Sequence, residues 1–506
     1  MVFLDREHRP LSQSAIWDWQ RRYFDEQGIR AWSDAVVPQY ITSNPWIATA
    51  YAHVVAGWLR DLGDTLDAGE PLNVIELGCG SGRFGALFAR KLPELAPDVR
   101  TRYVYTDFTE YNLDILRSHP SLQRGVDEGQ IDFARFDVEN DRELRLTHSG
   151  DVLGGGTARN PMIVIANYVF DGIRSDCFRV TADGTLEEVL VRAQRDDEDG
   201  PFTFSREPRP AADAVYDDPL WNGILDSYRR TFAGTDLLFP RAALTSLRHL
   251  HEISGGRLLL ISGDKGYVHE DSLRDGMEPQ LSMHGSFSMM VNYHAVGQWV
   301  AAAEGRFLHT AHRVSALQVI AAVFDDRRRG PWRETELAFG EWIERRAPGD
   351  FFELKRAVQT NYETFTLPQL ISLIRLSEWD HVVFLGAMTA IMARVENVTT
   401  AERAELAAVA RNVWSTYFPI REQVDVAFYA ALLLLAVDEA AEAIAMFEES
   451  IRWYGPDAAT SMNLAVCYRV LGRIPEALEH AREALQSDSK METALTLVKE
   501  IESLRL

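Results

Sequence analysis

The chain has 506 residues, more than one hydrophobic core ordinarily serves, so two or three domains are expected. With 46% hydrophobic and 25% charged residues, the composition is that of a globular protein and excludes global disorder. A net charge of −23 argues against general nucleic-acid binding, which needs clustered lysine and arginine, and favours a cationic ligand or a basic partner.

The opening "MVFLDREHRP" becomes charged at once, unlike a secretory signal. Residues 1–72 read as an N-terminal helical segment. In it Ser43, Asn44 and Pro45 mark a helix start, since Asn caps well and Pro is tolerated in the first turn.

The stretch "NVIELGCGSGRFG", residues 73–85, joins an apolar strand to a helix start through Gly78, Gly80 and Gly82. Glycines at such a turn permit tight backbone geometry and close approach of a ligand at the carboxyl edge of a sheet. A dinucleotide fingerprint would place its last glycine at Arg83, and no phosphate loop ending in Gly-Lys-Ser/Thr occurs. Glu76 would repel pyrophosphate and attract a cation. S-adenosylmethionine, with its ammonium and sulfonium centres, fits that requirement; a cap or ion pair is the plainer role for the acid.

Strand two, "RYVYTD", ends in Asp107, placed to accept both ribose hydroxyls, with Phe108 following. Strand three ends at Asp137, placed to accept from an adenine amino group while Val138 covers the ring. Cys79, inside the glycine loop, reads as a small space-filler.

Strand four, "MIVIANYVF", delivers Asn167, Tyr168 and Asp171, the candidate acceptor-site residues. Asp171 could orient a guanidinium or take its proton, and Tyr168 could wall a cation. The bland alternative makes Tyr168 a core aromatic and Asp171 a helix cap. Short strands alternating with helical stretches imply a doubly wound α/β domain with a parallel sheet.

"CFRVTADGTLEEVLVRA" reads as a hairpin about Asp183 and Gly184 added to that sheet. The acid run "RDDEDGP" reads as a solvated loop. "GGRLLLISGD" and "RFLHTAHRVSALQVIAAVF" look like returning strands that complete the sheet. His284, His294, His309 and His312 show no metal-ligand spacing, so no metal is expected; His284 or His294 could be an acid/base near the acceptor. "FDDRRRGPWRE", with Arg327 to Arg329, marks a domain boundary near residue 330.

Residues 331–365 read as a linker and residues 366–506 as an all-α domain. Leu464, Ala465, Tyr468, Gly472, Ala477, Ala481 and Ala484 resemble a tetratricopeptide repeat, and Ala431, Ala443 and Phe447 stand thirty-four residues before Ala465, Ala477 and Ala481. "LPQLISLIRLSEWDHVVFLGAMTAIMARV" reads as earlier, degenerate repeats. "VAFYAALLLLAV", residues 426–437, is shorter than the roughly 20 residues of a membrane span and reads as a buried helix. Cys79, Cys177 and Cys467 offer neither a disulfide framework nor a thiolate zinc site, which implies a reducing cytoplasm.

The pattern E-x-G-x-G-x-G, followed by Asp107 and Asp137, resembles the class I S-adenosylmethionine-dependent methyltransferases over residues 35 to 325. Within them "QYITSNPWIATAYAHVVAGWL", "MIVIANYVFDGIRSDCFRV" and "GSFSMMVNYHAVGQWV" resemble the MidA-like group, which includes the mitochondrial complex I assembly-factor methyltransferases. Asn167 and Asp171 match the outer positions of that group's N-E-F-F-D-A pattern, and Tyr168 stands where it has glutamate. The resemblance implies a Rossmann-like methyltransferase sheet over residues 73–330, residues 1–72 as a cover over the cofactor, and S-adenosylmethionine as cofactor. It also implies a site of Glu76, Gly78, Cys79, Gly80, Gly82, Asp107, Phe108, Asp137, Val138 and Asn167. The first expectation for function is N-methylation of a protein or peptide, arginine favoured, with the repeats holding the polypeptide. A small-molecule methyltransferase whose repeats serve packing or homodimer assembly is the second, and a non-catalytic scaffold the third.

Overall fold

The computed structural model describes residues 2–34, 36–155, 158–196, 200–274, 281–312, 317–327 and 330–503. Two compact units divide the chain, residues 1–350 and 351–506.

The first unit is built on a seven-stranded sheet. Its strands are β1 (Leu72–Leu77), β2 (Thr101–Asp107), β3 (Ile131–Arg135), β4 (Met162–Asn167), β5 (Arg257–Asp264), β6 (Arg306–His309) and β7 (Gln318–Asp325). They lie in the order β6-β7-β5-β4-β1-β2-β3. β1 to β5 pair in parallel, while β7 runs against both β5 and β6. All six residues of β1 and all eight of β5 are buried, as strands covered on both faces must be. Strand order reverses between β1 and β4, so a crevice opens above their carboxyl ends, the usual ligand position in such sheets.

Three helices matter for that crevice: α1 (Ile16–Gln27), α2 (Pro45–Leu62) and α3 (Arg83–Leu95). Asn44 caps α2 by accepting from the Ile47 amide at 3.0 Å, and Pro45 opens the helix. The N-terminal residues are not only helical, because Val2–Phe3 pairs with Leu186–Arg195. Buried Asp5 pins this segment, accepting from Ser14 Oγ at 2.6 Å and the Ala15 and Ala193 amides at 2.8 and 3.0 Å.

The hairpin about Asp183 and Gly184 forms, with Val180 opposite Leu186, but it does not extend the main sheet. It belongs to a separate antiparallel sheet made of Val2–Phe3, Asp176–Val180, Leu186–Arg195, Thr203–Pro210 and Thr235–Phe239. β4 is already flanked by β1 and β5, so the chain leaving it finds no free edge and turns away through residues 170–172. Part of the acid run, residues 197–199, lies outside the described residues, as do Arg328 and Arg329.

The stretch from residue 331 is not a bare linker. A helix over Arg333–Phe339 packs on α2, where a β-carbon on Gly57 would lie 2.6 Å from the Glu334 carbonyl oxygen. Asp61 of α2 caps that helix, accepting from the Thr335 amide at 2.8 Å and its hydroxyl at 2.7 Å. The first unit continues past residue 330 to residue 350, and this cap, which joins residues 274 apart in sequence, lies beyond any local pattern.

The second unit is helical. Helices Val426–Ala436 and Ala440–Tyr454 form one hairpin, and Ala458–Val470 and Ile474–Ser487 another. Ala431, Ala443, Phe447, Ala465, Ala477 and Ala481 are all wholly buried. The turns place Asp438 and Gly472, thirty-four residues apart, at the similar positive φ of 71° and 73°. Helices Leu367–Leu376 and His381–Met392 precede them. Among the described residues no helix is long and apolar enough to cross a membrane.

Candidate functional site

The loop after β1 is shaped by Gly78, Gly80 and Gly82, whose φ values are 57°, 49° and 73°. At Gly82 a side chain would be strained twice, by the left-handed backbone and by a β-carbon 2.5 Å from Leu116 Cδ2. The Cys79 amide donates to the Thr106 carbonyl at 2.8 Å, tying the loop to β2. Ser81 Oγ donates to Gln39 Oε1 at 2.7 Å, tying it to the N-terminal segment.

Glu76 lies beneath this loop at 5% exposure, and its Oε2 accepts from the Tyr103 hydroxyl at 3.0 Å. Burial pushes its carboxyl up to about 8, Tyr103 opposes the shift, and Asp107 adds to it. Gly85 leaves the room this acid needs, since a β-carbon there would meet Glu76 Oε2 at 2.6 Å and Tyr105 at 2.4 Å. No sequence signal separates Gly85 from an ordinary helical glycine.

Asp107 is also enclosed. Its Oδ1 takes the Thr109 amide and hydroxyl at 2.9 and 2.8 Å, whereas Oδ2 holds only long contacts from Gly80 N at 3.4 Å and Asn112 Nδ2 at 3.5 Å. Burial raises its carboxyl despite these donors. One oxygen, not two, is thus loosely held for an incoming hydroxyl.

Asp137 is more committed. Arg21 Nη2 reaches its Oδ2 at 2.5 Å, Asn140 Nδ2 the same oxygen at 2.9 Å, and the Glu139 amide its Oδ1 at 3.1 Å. Burial works against ionisation, but Asn140 and Arg21 together outweigh it and hold the carboxyl below its ordinary range. Arg21 also lies over the Phe108 ring, 4.6 Å from its centroid. An adenine amino group could use Asp137 only by displacing a donor it already has.

On the other side of the crevice Tyr168 adopts a φ of 52°, uncommon for a bulky residue, with its amide donating to the Gly263 carbonyl at 3.0 Å. Asn167 Oδ1 accepts from the Tyr51 hydroxyl at 2.9 Å, while its buried Nδ2 finds no hydrogen-bond partner among the described residues. Asp171 sits in the turn 170–172 at 6% exposure, and Asp264, at the end of β5, stands behind it. Burial keeps both carboxyls protonated to higher pH than usual.

A single cavity holds these residues together, with about 1440 Å³ of empty space, its open mouth included. Glu76, Gly78, Cys79, Gly80, Asp107, Phe108, Asp137, Val138, Asn167, Tyr168 and Asp171 all line it; Gly82 shapes the loop from outside the lining. Sequence reasoning missed Gln20, Arg21, Phe24 and Trp32, which wall the cavity from the N-terminal segment, and Lys265 at its mouth. Nothing local marks them, because they meet the site only through the fold. Cys79 is buried with its thiol raised, first by burial and then by Asp107 and Glu76, the wrong direction for a nucleophile.

His294 lies outside the cavity lining and bonds the Tyr228 hydroxyl at 3.0 Å. The His284 side chain lies outside what is described. His309 and His312 bond the carbonyls of Thr310 and Glu344 at 2.9 and 2.7 Å. Among the described residues no group of three or more His, Cys, Asp or Glu side chains is gathered to hold a metal ion.

No protein-family model matches this sequence, and no curated protein does. Among solved structures the chain is similar to a Burkholderia thailandensis protein at 14% identity and TM-score 0.41, covering 65% of this chain and 90% of that one. A second protein of the same organism and superfamily, solved bound to S-adenosyl-homocysteine, matches at 15% identity and TM-score 0.42, covering 62% and 88%. A TPR protein from Thermus thermophilus matches at 16% identity and TM-score 0.23, covering 34% and 91%.

Proposed function

We propose that this chain is an S-adenosylmethionine-dependent methyltransferase acting on a nitrogen of a protein or peptide side chain, with arginine the favoured acceptor. The observation that carries the reading is Glu76: a buried carboxyl under a glycine loop at the sheet's switch point, in the wall of a cavity lined by aromatic rings. A carboxyl held out of water and close to neutrality is suited to a cationic ligand, which would supply a countercharge that none of the described residues is seen to give it.

When bound, S-adenosylmethionine would supply an electrophilic methyl group. Glu76 would hold the ammonium, Asp107 Oδ2 a ribose hydroxyl, and Phe108 and Val138 the faces of the base. Tyr168 and Asn167 would wall and orient the acceptor, and Asp171 would take its proton. Orientation and exclusion of water are the chain's main contributions to such a displacement.

The helical unit would hold the polypeptide substrate or a partner, among which a second copy of the chain is one. Buried unpaired cysteines suit a cytoplasmic setting. Incubation of the full chain with methyl-labelled cofactor and cell extract should mark a protein band. Labelling confined to small metabolites would favour a small-molecule acceptor instead, a reading that the aromatic lining of the cavity supports. Survival of the biological effect in Glu76→Ala would favour a scaffold.

A further inference from the structure

We propose that Asp264 is a positioning residue for proton removal: Asp171 and Asp264 share one proton, and the pair's remaining negative charge receives the proton that the acceptor nitrogen releases. The inference rests on the methyltransferase reading and assigns a role within its site.

β4 and β5 are neighbours in register, Asn167 opposite Gly263, so the turn after β4 and the end of β5 meet. The Asp171 amide points at Asp264 Oδ1 at 3.5 Å, and the two carboxyls lie within hydrogen-bonding reach of each other. Two ionised carboxylates cannot hold that contact in a buried place, whereas one proton between them makes it favourable.

The pair has a front and a back. Asp171 lines the cavity. Asp264 is 0% exposed and does not reach it; its Oδ2 accepts from the Tyr293 hydroxyl at 2.7 Å and Ser262 Oγ at 3.2 Å. These donors fix Asp264, leaving its other oxygen for Asp171. Tyr51, Tyr168 and Tyr293 also face the pair, as does Ser288, and Lys265 is the cation whose charge favours ionisation of Asp171. Burial and repulsion by Asp171 hold the first proton on Asp264, and burial pushes the Asp171 carboxyl up to about 7 although the hydrogen bond from Asp264 and the Lys265 charge oppose it, close to neutrality, where a general base is most effective.

The step balances. A nitrogen lone pair forms the bond to the methyl carbon, the carbon–sulfur bond breaks with its electron pair going to sulfur, and the nitrogen's surplus proton passes to the Asp171 oxygen facing the cavity. The pair ends neutral and doubly protonated, then loses that proton to water.

Infrared difference spectroscopy on the full, ligand-free chain at pH 7 tests this without any acceptor. In a Glu76→Gln background, which takes away the band of that protonated acid, the chain should show a further carboxylic-acid carbonyl band that Asp264→Asn removes, and Asp171→Asn, which cuts the pair from the other side, should remove it too. In Asp264→Asn, methyl incorporation into extract protein should fall, by at most about 10²–10⁴-fold, with its acid limb shifted to higher pH because the Asp264 hydrogen bond that lowers the Asp171 carboxyl is lost, and with S-adenosylmethionine affinity unchanged. In that background, a band unchanged by whichever of the two substitutions folds would overturn the shared proton. An unmoved acid limb would overturn the role. Absence of S-adenosylmethionine binding in wild type would instead overturn the methyltransferase reading.

Discussion

Four acids at the cavity, Glu76, Asp107, Asp171 and Asp264, are held in the opposite way to Glu402 and Glu442 of the helical unit, whereas Asp137 on the cavity wall is held low as those two are. Glu402 receives the Thr399 amide at 2.8 Å in a capping box, and Glu442 pairs with Arg411 at 2.6 and 2.8 Å; each carboxyl is held below its ordinary range by those donors. Glu76, Asp107 and Asp171 in the cavity wall, and Asp264 behind it, are all raised, in every case first by burial. Ionisation therefore stabilises the helical unit and destabilises the ligand-free cavity, the contrast expected between acids placed for folding and acids kept for binding.

The sign can be followed for Glu76. Its carboxyl moves from an ordinary 4.5 to about 8, so the unfolded chain ionises first and stability falls as pH climbs between those values. The loss for a fully buried group is on the order of 5 kcal/mol at most. Glu402 and Glu442 act in reverse, adding stability above the ordinary carboxylate range that disappears as pH falls.

Phe447→Ala should have the largest effect on folding. It empties a wholly buried position between helices and should lower stability by about 3–5 kcal/mol in denaturant titration. S-adenosylmethionine affinity should not change, and a parallel loss of affinity would blur the contrast between the two regions.

Glu76→Gln should weaken S-adenosylmethionine binding by roughly 30- to 1000-fold, about 2–4 kcal/mol, by calorimetry. The same change should raise the melting temperature of the ligand-free protein at pH 9, because it removes a buried charge. A variant that bound normally, or melted lower at that pH, would break the comparison from the cavity side.

Asp457→Ala is smaller. Asp457 caps the helix at Ala458, accepting from the Ala459 and Thr460 amides at 2.7 and 3.0 Å, and its loss should cost about 1 kcal/mol. Smallest is Glu442→Gln, which leaves the exposed Arg411 only its longer ion pair with Glu439 at 3.7 Å and should cost about 0.2–1 kcal/mol, less at high salt.

What the sequence shows of this site follows strand periodicity. Glu76, Asp107 and Asp137 each stand at or just past a strand end, and Asn167, Tyr168 and Asp171 at the end of the fourth, so one-dimensional spacing suffices to gather them. The glycine loop is local for the same reason. Arg21 on Asp137, Tyr103 beneath Glu76, and Asp264 behind Asp171 depend on which strands and helices become neighbours, and local pattern is silent on that. The antiparallel hairpin had the right turn and the wrong sheet, since turn chemistry sets register within a hairpin and not the sheet it joins. The helix at Arg333–Phe339 was hidden by the charged, proline-containing stretch before it, which reads as a break wherever a distant cap is unseen.

The most direct test is a calorimetric titration of the full chain with S-adenosylmethionine at pH 7, in two buffers of different ionisation heat. The expected result is saturable one-to-one binding with about one proton released, as Glu76 gives up its proton to meet the ligand's ammonium. Absence of binding, or binding with no proton released, would contradict a cavity built around a buried acid awaiting a cation.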